Sequence, residues 1–387
     1  MEILIISYFF PPCATGAATV MYNLCKYLPK TNFNVVTTKS DLAVNLGIYD
    51  KEYTLDCKTA RLPVYTSTLL DHFKFLLLAL FAGLSSNRNK QIDCIFAVYP
   101  YFSDLLAGYV LHKMTKKPLV IYMHDLCSET RKKALTYRLL VFLEKKIFSA
   151  ASVILIMNKK YRNHYLKRGI NNLSILPPSI DLSETQHCER SATLRNINNG
   201  KLKIVFTGSV YKANEDAVLT FLETTKRVRD VQVLFATPTK EGYLPDHLKS
   251  ALKKVNVGFL PKKKCLELQE TADVLFLPLS HNYSYPEEME CAFPCKLLEY
   301  LAAGKPILAI VPRKSFVEAF IRKYDVGIAV TELSIERVTE AIEELKAEEK
   351  RKRYGENALK TVSLFDAKKQ SERLFSMIEN VVSLGDN

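Results

Sequence analysis

No two of the nine cysteines stand in a C-x-x-C pair, and their spacings make no disulfide framework. An odd number of scattered thiols fits a reducing compartment and argues against a small secreted fold held by disulfides. Tryptophan is absent, which excludes nothing. No G-x-G-x-x-G occurs, which counts against a nicotinamide-dependent epimerase or dehydrogenase. There is no D-x-D, and neither paired carboxylates nor a Ser/His arrangement of catalytic type is found. No metal or cofactor is therefore expected. The start MEILIISYFF lacks the basic region of a secretory signal and reads as a first strand. The longest apolar run, FKFLLLALFAGL at 73–84, holds a lysine. It is shorter than the about 20 residues that span a bilayer. A cytoplasmic protein is expected, with a peripheral contact to the inner face of the cell membrane left open.

What is present is enough for two cores. The 387 residues are 48% hydrophobic and 25% charged, which suits two domains of roughly 150–200 residues. The net charge of +13 is uneven. Residues 112–168 carry fourteen lysines and arginines against three acids. Such a stretch is either a set of ordinary solvated helix faces or a surface for a polyanion. Without an aromatic-interleaved basic motif, zinc spacing or recognition helix, nucleic acid is the weaker polyanion and an anionic membrane the stronger.

Apolar β-rich runs alternate with amphipathic stretches along the whole chain. In the first half they are ILIIS (3–7), NVVTT (34–38), CIFAV (94–98), LVIYM (119–123) and SVILIM (152–157). Helical patterns at 16–28, 101–114 and 131–149 lie between them. Runs apolar on both faces mark parallel strands covered by helices on each side. The pattern breaks in the polar segment 183–200, read as a linker. It resumes with KIVFTG (203–208), VQVLFA (231–236), VNVGFL (255–260), DVLFLP (273–278), PILAIV (306–311) and VGIAV (326–330). The expectation is an α/β chain of two doubly wound, Rossmann-like domains facing a central cleft: 1–182 and 201–365, with 366–387 as a last helix. Ligands of such sheets meet the carboxyl ends of the strands.

Candidate residues are therefore sought just after strands. Gly16 follows the first strand and opens a helix, where backbone amides and the helix dipole favour a phosphate. His124 ends another strand and is able to donate to a hydroxyl. Gly208 and Ser209 turn the chain after the first strand of the second domain, and Lys212 lies within reach of a phosphate there. In FPCKLLEYLAAGKPIL (293–308), Pro294 suits a helix start and Gly304 its stop. Leu297, Leu298 and Leu301 share one face of this helix, and Lys296, Glu299 and Ala303 the other. The ordinary reading of Lys296 and Glu299 is a surface ion pair. The alternative gives Glu299 a ribose to bind and the amides of Cys295, Lys296 and Leu297 a phosphate.

Taken together, these segments resemble the family 4 retaining glycosyltransferases of the GT-B fold. The resemblance runs from YFFPP…TGAA through HDL…E, ILPPSID and VFTGSVYKAN to ADVLFLPL and FPCKLLEYLAAGKPIL. It is strongest in the branch that builds bacterial surface polysaccharides. It implies a metal-independent transfer of a hexosyl or N-acetylhexosaminyl group. The donor would be a nucleotide-diphosphate sugar, UDP-linked by family habit, and the acceptor a saccharide or lipid-linked hydroxyl. It implies that Glu299 binds ribose, that the amides of 295–297, Gly16 and Lys212 meet the diphosphate, and that His124 contacts the donor sugar. Lys212, Lys296 and the helix-start amides would offset the leaving group's charge. The last helix would cross back onto the first domain, and 112–168 would meet an anionic membrane. Four positions depart from the pattern: Cys291 stands where many members have glutamate, Ser209 where many have arginine, Pro178 where many have asparagine, and Thr15 before Gly16 where the first loop has a double glycine. A catalytically silent sugar-nucleotide binder is the alternative that Cys291 and Ser209 raise.

Overall fold

The computed structural model describes residues 1–13, 15–28, 32–40, 57–64, 68–89, 92–99, 101–126, 137–183, 200–237 and 246–385, with Leu55 besides. It divides into two compact units, Met1–Ser179 with Ala367–Asn387, and Ile180–Asp366. Most of the expected linker 183–200, and 127–136 of the basic stretch, lie outside the described residues.

The first unit holds β1 (Glu2–Ser7), β2 (Asn32–Ser40), β3 (Lys58–Val64), β4 (Cys94–Tyr99), β5 (Leu119–Met123), β6 (Val153–Ile156) and β7 (Leu173–Ile175). Among the described residues these form a seven-stranded sheet in the order β3-β2-β1-β4-β5-β6-β7. All neighbours run parallel. Every residue of β4 and β5 is buried, as a sheet covered on both faces requires. The helices are α1 (Gly16–Lys26), α2 (Leu69–Asn89), α3 (Phe102–Thr115), α4 (Tyr137–Ala150) and α5 (Lys159–Lys167). Helix α3 packs beside both α2 and α4. The final helix, α14 (Ala367–Gly385), belongs to this unit and packs on α1. Its Ser371 hydroxyl donates to the Leu24 carbonyl at 2.7 Å.

The second unit holds β8 (Leu202–Thr207), β9 (Val231–Ala236), β10 (Val274–Pro278), β11 (Ile307–Ile310) and β12 (Gly327–Val330). Their order is β12-β11-β10-β8-β9, again parallel. Around them lie α6 (Glu215–Thr225), α7 (Asp246–Leu252), α8 (Lys262–Glu270), α9 (Pro286–Cys291), α10 (Cys295–Ala302), α11 (Phe316–Tyr324), α12 (Ile335–Leu345) and α13 (Glu348–Val362). In each unit the sheet order reverses beside the first strand, between β1 and β4 and between β8 and β10. That is where doubly wound sheets open a crevice for ligands.

Three local expectations change. VNVGFL is not a strand: only Asn256 bridges to Phe235. Its side-chain oxygen accepts from the amides of Thr237 (3.2 Å) and Gly258 (3.0 Å), and Gly258 has φ +86°. This turn chemistry outcompetes the short apolar run. Two edge strands, the mixed β3 and the three-residue β7, carry no unbroken apolar run of strand length. And the run 73–84 is only the middle of α2, whose Leu69–Arg88 is long and apolar enough by composition to cross a membrane. Part of α2 is nevertheless packed inside the unit, with Phe75 and Ala79 fully buried.

Candidate active site

The polar cluster of the second unit stands at the carboxyl end of β8. Helix α10 begins at Pro294, its N-cap. It ends just before Gly304, whose φ of +63° suits the stop. Leu297, Leu298, Tyr300 and Leu301 are buried and fix which way the helix faces. Lys296 and Glu299 are half-buried on the remaining side.

Glu299 does not pair with Lys296. Its Oε1 lies 3.1 Å from the Lys262 Nζ on α8, and its Oε2 accepts from the Gln269 amide at 3.3 Å. The same amide nitrogen donates to the Thr207 hydroxyl at 2.8 Å. The Thr207 backbone N–H donates to the Tyr300 hydroxyl at 3.3 Å. Glu299 is thus tied to the end of β8 through Gln269. Burial pushes its carboxyl up, but Lys262, Gln269 and Lys296 outweigh this and hold it below its ordinary value. It remains a carboxylate with acceptor capacity to spare. Gln269 is fully buried, and its Oε1 has no partner among the described residues.

Lys296 reaches the other way. Its Nζ lies 5.7 Å from the centre of the Phe206 ring, and its end covers Gly208. A Cβ at Gly208 would overlap the Lys296 Cε and Nζ. Gly208 also has φ +120°, a region that favours glycine. Burial pulls the Lys296 ammonium below its ordinary value, against the carboxylate of Glu299. Gly208→Ala is expected to lose about 1–3 kcal/mol through backbone strain alone and to displace Lys296. Urea unfolding checks the first effect and nucleotide titration the second.

Of the three amides expected to face a phosphate, that of Leu297 is occupied, donating to the Pro294 carbonyl at 2.9 Å. Cys295 and Lys296 open the helix. Ser209 accepts through its carbonyl from Asn214 at 3.1 Å, which shapes the turn after β8. Lys212 stands in that turn and is exposed. Asp216, in the first turn of α6, ties that helix to the segment after β10, accepting from the amides of His281 (3.0 Å) and Asn282 (2.9 Å). Cys291 is buried at the end of α9. Lys262 and Gln269 were not anticipated from the sequence. Their spacing of seven puts them on one face of α8 together with Cys265.

Gly16 and His124 belong to the first unit. Gly16 is the exposed first residue of α1. The preceding Thr15 caps that helix, its hydroxyl accepting from the Ala18 amide at 3.3 Å. His124 follows β5 and is buried, with neither ring nitrogen partnered among the described residues. Its carbonyl accepts from the Tyr161 hydroxyl at 2.9 Å, and its ring meets Tyr122 edge-on at 4.5 Å. Burial lowers the His124 pKa from 6.5 to about 3 and raises that of Asp125 to about 6. An unfolded histidine protonates near its ordinary value, whereas this one resists to far lower pH. The stability it contributes is complete above pH 6.5 and is lost as the pH falls toward 3. By pH 4 the loss from this residue reaches about 3 kcal/mol. Denaturant titrations of wild type and His124→Gln across that range should differ by this slope.

Among the described residues no group of three His, Cys, Asp or Glu is placed to hold a metal.

Two family models match the chain: Glycosyltransferase Family 4 over residues 14–184 and Glycosyl transferases group 1 over 201–348. A comparison with curated proteins by sequence returned no match. Among solved structures, a sucrose-phosphate synthase from Thermosynechococcus elongatus is similar at a TM-score of 0.73 and 14% identity, over 99% of each chain. An E. coli trehalose-6-phosphate protein bound with UDP-2-fluoro glucose is similar at 0.69 and 12% identity, over 98% of this chain and 99% of its own. Anabaena HepE in complex with UDP-glucose gives 0.70 and 14% identity, over 98% of this chain and 100% of its own. At such identities the structural likeness speaks for the fold, and the two family matches speak for the activity. Both halves match glycosyltransferase models and the whole chain shares the two-domain fold, so the protein is a glycosyltransferase of the GT-B type.

Proposed function

We propose that the protein transfers a hexosyl or N-acetylhexosaminyl group from a UDP-linked donor, with retention at the anomeric carbon. The acceptor would be a saccharide or lipid-linked hydroxyl in surface polysaccharide biosynthesis, on the cytoplasmic side of a membrane. The observation that carries the donor reading is Glu299. It is a carboxylate held by Lys262 and Gln269 at the carboxyl end of β8, beside the start of α10. Two ribose hydroxyls would donate to it.

The diphosphate would lie against the start of α10 and Lys296, with Lys212 and Ser209 on the turn after β8. The leaving group gains negative charge as the sugar departs. Lys296 and the α10 amides are fixed before the reaction, so they offset that charge without reorganising. No metal-dependent step is part of the proposal. In the first unit, the vacant ring nitrogens of His124 would meet a hydroxyl of a sugar substrate, and Gly16 would allow a phosphate close approach. The basic stretch 112–168 would meet an anionic membrane.

A thermal-shift screen of nucleotides and nucleotide sugars tests the donor class. A ligand at 100 times its Kd stabilises the native state by about 2.7 kcal/mol. UDP and one UDP-sugar should raise the melting temperature at millimolar concentration. If only non-uridine nucleotides do so, the base is wrong; if none does, the donor site is wrong.

A further inference from the structure

We infer that α2 is a membrane-docking helix, laid flat on an anionic bilayer together with the neighbouring faces of α3 and α4. The inference deepens the lipid-linked acceptor reading, on which its purpose rests.

Helix α2 is apolar on both sides. Its inner side is used: Phe75 and Ala79 are fully buried, and a Cβ on Gly83 would stand 2.6 Å from the Leu111 side chain of α3. Its outer side is not. Leu70, Phe73, Leu77 and Phe81 are 59%, 55%, 51% and 76% exposed. Their spacing of three and four places them in one stripe about 16 Å long. The charges on that side are the exposed Lys74 and Arg88, one toward each end. The acid of the first turn, Asp71, is bound to the Thr68 hydroxyl at 2.8 Å. A helix with a second apolar face left in water is waiting for an apolar surface.

The neighbouring helices continue this surface. Met114 on α3 and Leu139 and Phe142 on α4 are each more than half exposed. Between α3 and α4 runs a groove of about 390 Å³, lined by Tyr109, Phe142 and the exposed Lys113, Lys145 and Lys146. The acid of α4, Glu144, is buried and bound to Arg168 at 2.6 Å, so it does not cancel these lysines outside. Protein interfaces are depleted in lysine. An apolar ridge one side chain deep, ringed by lysines that keep their charge in water, fits the boundary between lipid headgroups and acyl chains. The groove would take a headgroup phosphate. The inner side of α2 argues against a spanning helix, because Phe75, Ala79 and Gly83 are buried in the unit's core.

The test is flotation with vesicles of pure phosphatidylcholine and of phosphatidylcholine with one third phosphatidylglycerol. Wild type should bind the anionic vesicles at least tenfold better. Replacing the four stripe residues by glutamine, a good helix former, should reduce that binding at least tenfold. Neutralising Lys113, Lys145 and Lys146 to glutamine should reduce it about a hundredfold, at about fivefold per lysine. Both variants should keep wild-type circular dichroism and UDP affinity, which separates a docking failure from a failed donor reading. No preference for the anionic vesicles, or undiminished binding by a folded stripe variant, overturns the inference. So does a wild-type dimer that the stripe variant abolishes while vesicles stay unbound, which would name a second copy of the chain as the occupant.

Discussion

Lys296→Ala is expected to lower kcat for sugar transfer about 10²–10³-fold, the usual effect of removing one preorganised group facing developing charge. The side chain is committed to its position. It lies across Gly208 and over the Phe206 ring, and it takes no carboxylate partner among the described residues. Held there, half-buried, its ammonium is destabilised, and an arriving diphosphate would relieve that cost. Relief that grows as the leaving oxygen gains charge falls on the transition state more than on the bound donor. The loss should therefore appear mainly in kcat, with a smaller change in KM. Lys296→Arg should not restore the rate, because the flat guanidinium has no room over Gly208. Initial rates with the best donor from the thermal-shift screen decide this. A pure rise in KM would make Lys296 a simple binding group.

Glu299→Ala should weaken nucleotide binding about 100-fold or more, because hydrogen bonds to a charged group contribute about 1.5–3 kcal/mol each. The structural cost should be small: Lys262 is partly exposed, its side chain at 26%, and turns to solvent when its partner is lost. Two controls follow from the same geometry. Lys262→Met should weaken binding less than the glutamate change, since it removes only one of the groups that steady the carboxylate. Gln269→Leu should do more harm to stability, because it leaves the buried Thr207 hydroxyl without its donor. Calorimetric titration with UDP, alongside melting temperatures, separates the effects.

Much of this was legible in the residues. Strands buried on both faces, such as β1, β4, β5 and β10, announce themselves as short apolar runs. Helix α10 is bracketed by Pro294 and Gly304, and its leucine face shows where Glu299 must point. Three things were hidden. Lys262 and Gln269 lie 37 and 30 residues before their partner Glu299, so their role depends on packing that no local pattern records. The fate of 255–260 depends on one asparagine side chain and one glycine conformation. And α2 looked too short because its ends are mixed in composition, while its second apolar face becomes visible only once the first is seen to be buried.

On the proposed function, Glu299 reads the ribose of the donor. Titrating wild type and Glu299→Ala with UDP and with 2′,3′-dideoxy-UDP decides this. Wild type should prefer UDP about 100-fold, and the variant should bind the two nucleotides alike. The same preference in both proteins would contradict it.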